Sequence, residues 1–292
     1  MELGPVGVWT FQLEGVPVAR AQELVVELEE LGYAAVWVPE AVGREALTHA
    51  ALLLACSRRI VVATGIASIW WREPMAANAA QRTLAEAFPG RFLLGLGVSH
   101  GPSVEGMLGR TYQTPYSKMV SYLDAMDSAL YLAVGPDERP PRVLAALGPR
   151  MLRLAAERAD GAHPYFVPVE HTAFARETMG AGPLLAVEQA AVLETDPAVA
   201  REIARGHMAM YLGLANYRNN LLRLGFGEDD LADGGSDRLV DAIVAWGDPE
   251  DVAARVRAHR EAGADHVCVQ VLPPDQVTVP VEAWRRLAPA LL

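Results

Sequence analysis

The stretch RFLLGLGVSHGPSVE, from Arg91 to Glu105, decides how the rest of the chain is read. Its apolar run, residues 92–96, is short enough for one strand and too short for a buried helix. An unbroken apolar run means that both faces of the strand are covered, which is the mark of a parallel sheet flanked by helices. The run leads into Gly97-Val98-Ser99-His100-Gly101-Pro102. Folds of this kind place ligands and chemistry at the C-terminal ends of their strands. His100 is therefore the leading candidate for a working residue. A plain loop is the competing reading, because turn residues gather at strand ends for backbone reasons alone. Gly95-Leu96-Gly97 does not begin a dinucleotide-binding G-x-G-x-x-G, since His100 stands where the third glycine would be.

Outward from this strand, the same unit recurs. Before it, strands are expected at residues 6–10, 34–38 and 60–66, with helices at 19–31, 46–55 and 74–87. The helix at 19–31 puts Leu24, Leu28 and Leu31 on one face and Glu23, Glu27 and Glu30 on another. After it, a long helix is expected at 115–133, then strands at 142–146, 161–166, 184–193 and 266–272. Helices are expected from Gly148-Pro149 to 159, at 170–179, over the long region 197–224, from Asp248-Pro249 to 262, and at 281–292; residues 225–237 read as a Gly/Asp-rich loop. Strand and helix alternate eight times without a break in composition, so the chain reads as one (β/α)8 barrel domain over residues 1–292. An open doubly wound sheet is the alternative.

Composition narrows the function. The chain has 292 residues, 51% of them hydrophobic, and a net charge of -11. All of its basic residues except Lys118 are arginine. An acidic surface of this size argues against nucleic acid and anionic membranes as partners. Cys56 and Cys268 lie apart in apolar segments, which favours reduced, buried thiols and excludes a Cys-x-x-Cys metal site. The histidines show neither H-x-H nor H-x-x-x-H spacing, and no G-x-S-x-G elbow is present, so no metal and no serine nucleophile are expected. The start lacks the pattern of a signal peptide, and Ser57-Arg58-Arg59 interrupts the most apolar region. A soluble, cytoplasmic protein is expected.

If the barrel closes, its strand ends converge into a site. They supply Trp9 and Thr10, then Glu40, then Thr64, Gly65, Ile66, Ser68, Trp70 and Trp71. Further strands bring Ser99, His100 and Ser103, then Leu147 and Gly148, then His163, Tyr165 and Phe166, and finally Gln270. Ala146-Leu147-Gly148-Pro149-Arg150-Met151 reads as a strand turning tightly into a helix. The free N–H groups and dipole of such a helix start suit a phosphate, although a simple helix start reads the same way. The aromatic mouth suits a planar ligand, and packing is again the plainer alternative.

The motifs WVPE at Trp37–Glu40, VVATGI at Val61–Ile66, RFLLGLGVSH at Arg91–His100 and AALGPRML at Ala145–Leu152 resemble the bacterial luciferase-like monooxygenase superfamily. NYRNNLLRLGF at Asn216–Phe226 looks like a subfamily signature, and together the motifs point to the branch that uses the deazaflavin coenzyme F420. The resemblance covers nearly the whole chain. It implies a (β/α)8 barrel, a homodimer, and a coenzyme phosphate on Leu147, Gly148, Pro149, Arg150 and Met151. It also implies a bulge with a non-proline cis peptide near Gly65 and Ile66 as a backrest for the ring, with Thr64, Ser99 and Ser103 beside it. Related deazaflavin dehydrogenases carry an acid and a histidine after strand two and a glutamate in the strand-four loop. Here Glu40 matches the acid, but Ala41 replaces the histidine and His100 replaces the glutamate.

The expectation is hydride transfer between F420 and a small organic substrate. His100 would be the acid or base, Glu40 would orient the ring or tune His100, and Trp9, Trp70, Trp71 and Tyr165 would wall the substrate. Two alternatives stand beside it: an FMN-dependent monooxygenase of the same fold, and a non-catalytic barrel that binds a flavin or deazaflavin.

Overall fold

A computed structural model describes residues 3–292. Its ten parallel strands are β1 (Val6–Trp9), β2 (Ala35–Val38), β3 (Val61–Thr64), β4 (Ala67–Ser68), β5 (Phe92–Gly97), β6 (Arg142–Leu144), β7 (Gly161–Ala162), β8 (Leu184–Val192), β9 (Val244–Trp246) and β10 (His266–Val271). The order β10-β1-β2-β3-β5-β6-β7-β8 returns on itself where β8 pairs with β10, so eight strands close a barrel. Helices cross over between them, and their apolar faces cover the outside: Leu24, Val25 and Leu28 of helix Val18–Leu31 are fully buried. Both faces of every strand are thus covered, as the continuous apolar runs require.

The glycines of the opening stretch have a structural cause. β3 pairs with the start of β5 (Ala63 with Leu93), and β4 resumes the pairing at its end (Ala67 with Leu96). Between them the chain bulges through a cis Gly65–Ile66 peptide. Thr64 fills the gap in the ladder: its hydroxyl donates to Gly95 O and accepts from Gly95 N–H, both at 2.8 Å. A Cβ on Gly95 would meet Thr64 O at 2.0 Å, and one on Gly97 would meet Ile66 Cδ1 at 2.3 Å. The bulge needs two strand positions without side chains, so Gly-Leu-Gly marks it.

Several expected boundaries shift. The helix expected at 115–133 ends at Asp127. The region 197–224 is two helices, Pro197–Leu212 and Ala215–Arg223, because Leu214 is extended. A short helix, Gly101–Leu108, follows His100, where the sequence pattern predicts no element. The strands expected at 142–146 and 161–166 stop at Leu144 and Ala162. The loop read at 225–237 contains a helical turn, Glu228–Leu231. Helix Asp237–Ile243 and β9 follow it, and β9 adds to the last three residues of β8. Cys268 is buried, as expected, but Cys56 is only half-buried; both are free.

Candidate active site at the C-terminal strand ends

Three groups of side chains lie at and below the barrel mouth. The first follows β2 and β4. Glu40 accepts from Ser68 N–H at 2.7 Å and Ala46 N–H at 3.1 Å, and pairs with both terminal nitrogens of Arg72, one of them at 2.9 Å. Arg72 also reaches Glu45 at 2.6 Å. The pair is dry, with the Arg72 side chain 9% exposed and that of Glu40 2%. Glu40 therefore joins the loop after β2 to β4, and no hydrogen bond or ion pair links it to His100. Trp70 is likewise committed: its indole donates to Val98 O at 2.9 Å, Lys118 lies over the ring, and Arg110 bonds its carbonyl. Trp70 belongs to the main core rather than to an open wall, and Trp71 packs half-buried against the same core.

The second group is the barrel floor. Trp9 stacks edge-on to Phe11 and tilts against Tyr165 at 5.0 Å. Tyr165 donates to Gln270 Oε1 at 2.8 Å and accepts from Tyr211 at 2.8 Å. The His163 ring stacks on Trp37 at 4.2 Å and its Nδ1 donates to Ala186 O, which leaves Nε2 as an acceptor. Burial holds this imidazole neutral, with a pKa of about 4. Trp9 Nε1 and His163 Nε2 are both buried without partners, and both border Gly65: a Cβ there would lie 2.3 Å from the first and 3.3 Å from the second. A free donor and a free acceptor therefore flank the cis peptide. Glu188, wholly buried on β8, accepts from Phe166 N–H at 3.0 Å with one oxygen and has no partner for the other. Burial pushes its carboxyl up to about 8. Of the expected pocket aromatics, Trp9 and Tyr165 meet here, apart from Trp70 and Trp71.

The third group joins the ends of β5 and β6. His100 caps the start of helix Gly101–Leu108, with Ser99 before it in a left-handed turn (φ 55°). Such a φ is uncommon outside glycine and recurs at working sites. His100 Nδ1 meets Asn216 Oδ1 at 3.2 Å, and its ring tilts against Tyr217 at 5.5 Å. Burial lowers its pKa and the Asn216 bond partly restores it, so the ring is neutral at pH 7. Ser103 follows within the same helix, and Tyr112 bonds Ser99 O at 3.1 Å. At β6, Gly148 caps helix Pro149–Arg158 with no side-chain cap. The Leu147 carbonyl is held by His171 Nε2 at 2.9 Å. Arg150 leans over Tyr116 at 4.3 Å, and Met151 is half-buried in the first turn. Arg223 Nη2 lies 3.7 Å from the point a Gly148 Cβ would occupy. This helix start fits the phosphate of a coenzyme: its first-turn N–H groups lack a side-chain partner, and a guanidinium stands beside it.

Four of these residues escaped the sequence reading. Nothing in sequence points Arg72 at Glu40 or Asn216 at His100. Glu188 was visible, as a charge inside the apolar run Leu184–Val192. Arg223 lay within the NYRNNLLR signature, whose i, i+4, i+7 spacing of Asn216, Asn220 and Arg223 marks one helix face. Among the described residues, no cluster of three or more His, Cys, Asp or Glu could hold a metal, and no helix is long and apolar enough to cross a membrane.

The sequence matches a known family over most of this barrel. The model of the luciferase-like monooxygenase family matches residues 5–266, and the chain belongs to that family. It is 30% identical over 197 residues to a Mycobacterium tuberculosis protein provisionally named a coenzyme F420-dependent oxidoreductase. The match takes in 57% of this chain and 56% of that relative, so the chain spans about half the length of the curated relative. In structure it is similar to an F420-dependent secondary alcohol dehydrogenase solved with an F420–acetone adduct, with a TM-score of 0.79 at 16% identity over all of both chains. It is also similar to the FMN-bound oxygenating component of 3,6-diketocamphane monooxygenase from Pseudomonas putida. There the TM-score is 0.69 at 16% identity, over 99% of this chain and 98% of the other. At such identities the structural likeness concerns the fold.

Proposed function

We propose that the protein is an F420-dependent oxidoreductase that moves a hydride between the deazaflavin and a small organic substrate, with His100 handling the accompanying proton. The observation that carries this reading is the third group of side chains: a neutral, half-buried histidine on one strand end beside an uncapped, cation-flanked helix start on the next. The partial match to the mycobacterial relative supports the choice of coenzyme.

Leu147, Gly148, Pro149, Arg150 and Met151 would hold the phosphate, and Gly65 and Ile66, with Thr64 bracing them, would support the ring. When bound, the deazaflavin supplies a ring carbon that accepts or returns a hydride. The chain's own part is to fix a substrate carbon near that face and to manage one proton. With Nδ1 donating to Asn216, His100 presents Nε2 with its lone pair free, ready to take the proton of a substrate hydroxyl as it is oxidised, or to return one on reduction. Trp9 and Tyr165 would give the site an apolar wall, with the unpartnered Trp9 indole N–H as its one free donor.

The test is anaerobic turnover with F420, following the coenzyme's visible absorbance across a panel of secondary alcohols and aldehydes. Bleaching that depends on substrate and protein supports the reading. Turnover that needs FMN and oxygen instead would move the protein to the monooxygenase reading.

A further inference from the structure

Helix Ala215–Arg223 lies across both strand ends of the third group. Its residues 216, 220 and 223 share one face, because four and then three residues bring a helix back to nearly the same direction. Asn216 meets His100 at 3.2 Å. One turn on, Asn220 is wholly buried, and its Oδ1 accepts from Arg223 Nη1 at 2.9 Å. The other half of that carboxamide, Nδ2, is a buried donor with no partner. Arg223 itself is exposed, its second nitrogen stands at the Gly148 turn, and no carboxylate pairs with it among the described residues. Among the arginines of residues 197–224 it stands alone in this. Arg201, Arg205 and Arg218 of the same region each pair with an acid, and the chain carries 36 acidic residues against 25 basic ones. A cation kept free of carboxylates, a buried N–H donor without an acceptor, and an uncapped helix start all lack the same thing, an anion.

We propose that helix Ala215–Arg223 is a clamp for a phosphate group seated on the Gly148–Pro149 helix start, with Arg223 as its charged finger and Asn220 Nδ2 as a second donor. The proposal deepens the functional reading above, and it rests on that reading only for which coenzyme carries the phosphate. The guanidinium approaches from a segment outside the β/α repeat, so the clamp acts across the site rather than within one loop. Because Asn216 rides on the same helix face, a phosphate seated under Arg223 also fixes the partner of His100.

The test separates the clamp from the coenzyme. The melting temperature of the wild-type protein, R223A and R223K is measured against inorganic phosphate. F420, and the same deazaflavin lacking its phosphate, are titrated in parallel. Arg223 is exposed, so R223A keeps the fold. Phosphate at ten times its Kd raises the wild-type melting temperature by about 2–4 °C. R223A loses most of that shift and R223K keeps part of it. R223A also weakens F420 by about tenfold or more while leaving the phosphate-free deazaflavin unchanged. A phosphate shift equal in wild type and R223A, or none in either, overturns the clamp. F420 binding equally to both proteins overturns it too, while leaving the coenzyme reading intact. A phosphate response that depends on Arg223, in a protein that ignores F420, upholds the clamp and removes the coenzyme.

Discussion

The two sides of the mouth hold similar residue types and differ in how their polar groups are satisfied. On the β2–β4 side, Glu40 has Arg72 and two backbone N–H groups, and Trp70 has Val98 O. Glu40 and Trp70 are thus both held by protein partners. On the β5–β6 side, His100 has one side-chain bond, Asn220 Nδ2 has none, and Arg223 has no acid. A carboxylate with its acceptors filled is part of the scaffold, whereas donors left open at a helix start are free for a ligand. The difference teaches that a titratable residue at a strand end declares its role through its partners and not through its type.

The largest effect expected from breaking the contrast is on stability. Arg72→Ala would strand the Glu40 carboxylate in a dry site, and should cost about 3–5 kcal/mol in urea unfolding. A loss below about 1 kcal/mol would mean that the pair is not the brace described. His100→Ala should lower the hydride-transfer rate by about 10² or more, near 3 kcal/mol of barrier, with F420 affinity almost unchanged. If the rate survives, the histidine is only a contact.

Glu188 sharpens the contrast from below, as a buried group that is open but not at the rim. Its native pKa of about 8 exceeds the ordinary 4.5. Between those values the native state holds a proton that the unfolded chain releases. Stability should therefore fall as pH rises from 4.5 towards 8, and level off above it. Glu188→Gln should remove that slope and gain about 2 kcal/mol at pH 8–9, read from unfolding at several pH values. An unchanged slope would assign it to other groups. The smallest effect belongs to Asn216→Ala. Loss of its bond should lower turnover by about tenfold through misplacement of the ring. It should also move the histidine limb of the pH–rate profile to lower pH, because that bond raises the His100 pKa. A limb that stays in place would mean that Asn216 does not tune the histidine.

The barrel was legible because its signals are local and repeated: short apolar runs, capped helices, and prolines at helix starts such as Pro74 and Pro149. The bulge was legible only through the family resemblance; Gly95 and Gly97 encode it, but a glycine does not say what approaches it. Elements were misjudged where local pattern is weak. Leu214 breaks a helix without Gly or Pro at its own position, and β9 is too short to show a period. In the site, His100 and the Gly148 turn were legible from strand-end position. The partners of Glu40 and His100 were not: Arg72 lies 32 residues from Glu40, and Asn216 lies 116 from His100. Pairings across such distances are set by the packed barrel, and no spacing rule reaches them.

The central claim is that the open side of the mouth is a deazaflavin site. Titration of the protein with oxidised F420 and, separately, with FMN, followed by fluorescence, tests it most directly. The account predicts a micromolar or tighter Kd for F420 and clearly weaker binding of FMN. Preference for FMN, or no binding of either, would contradict it.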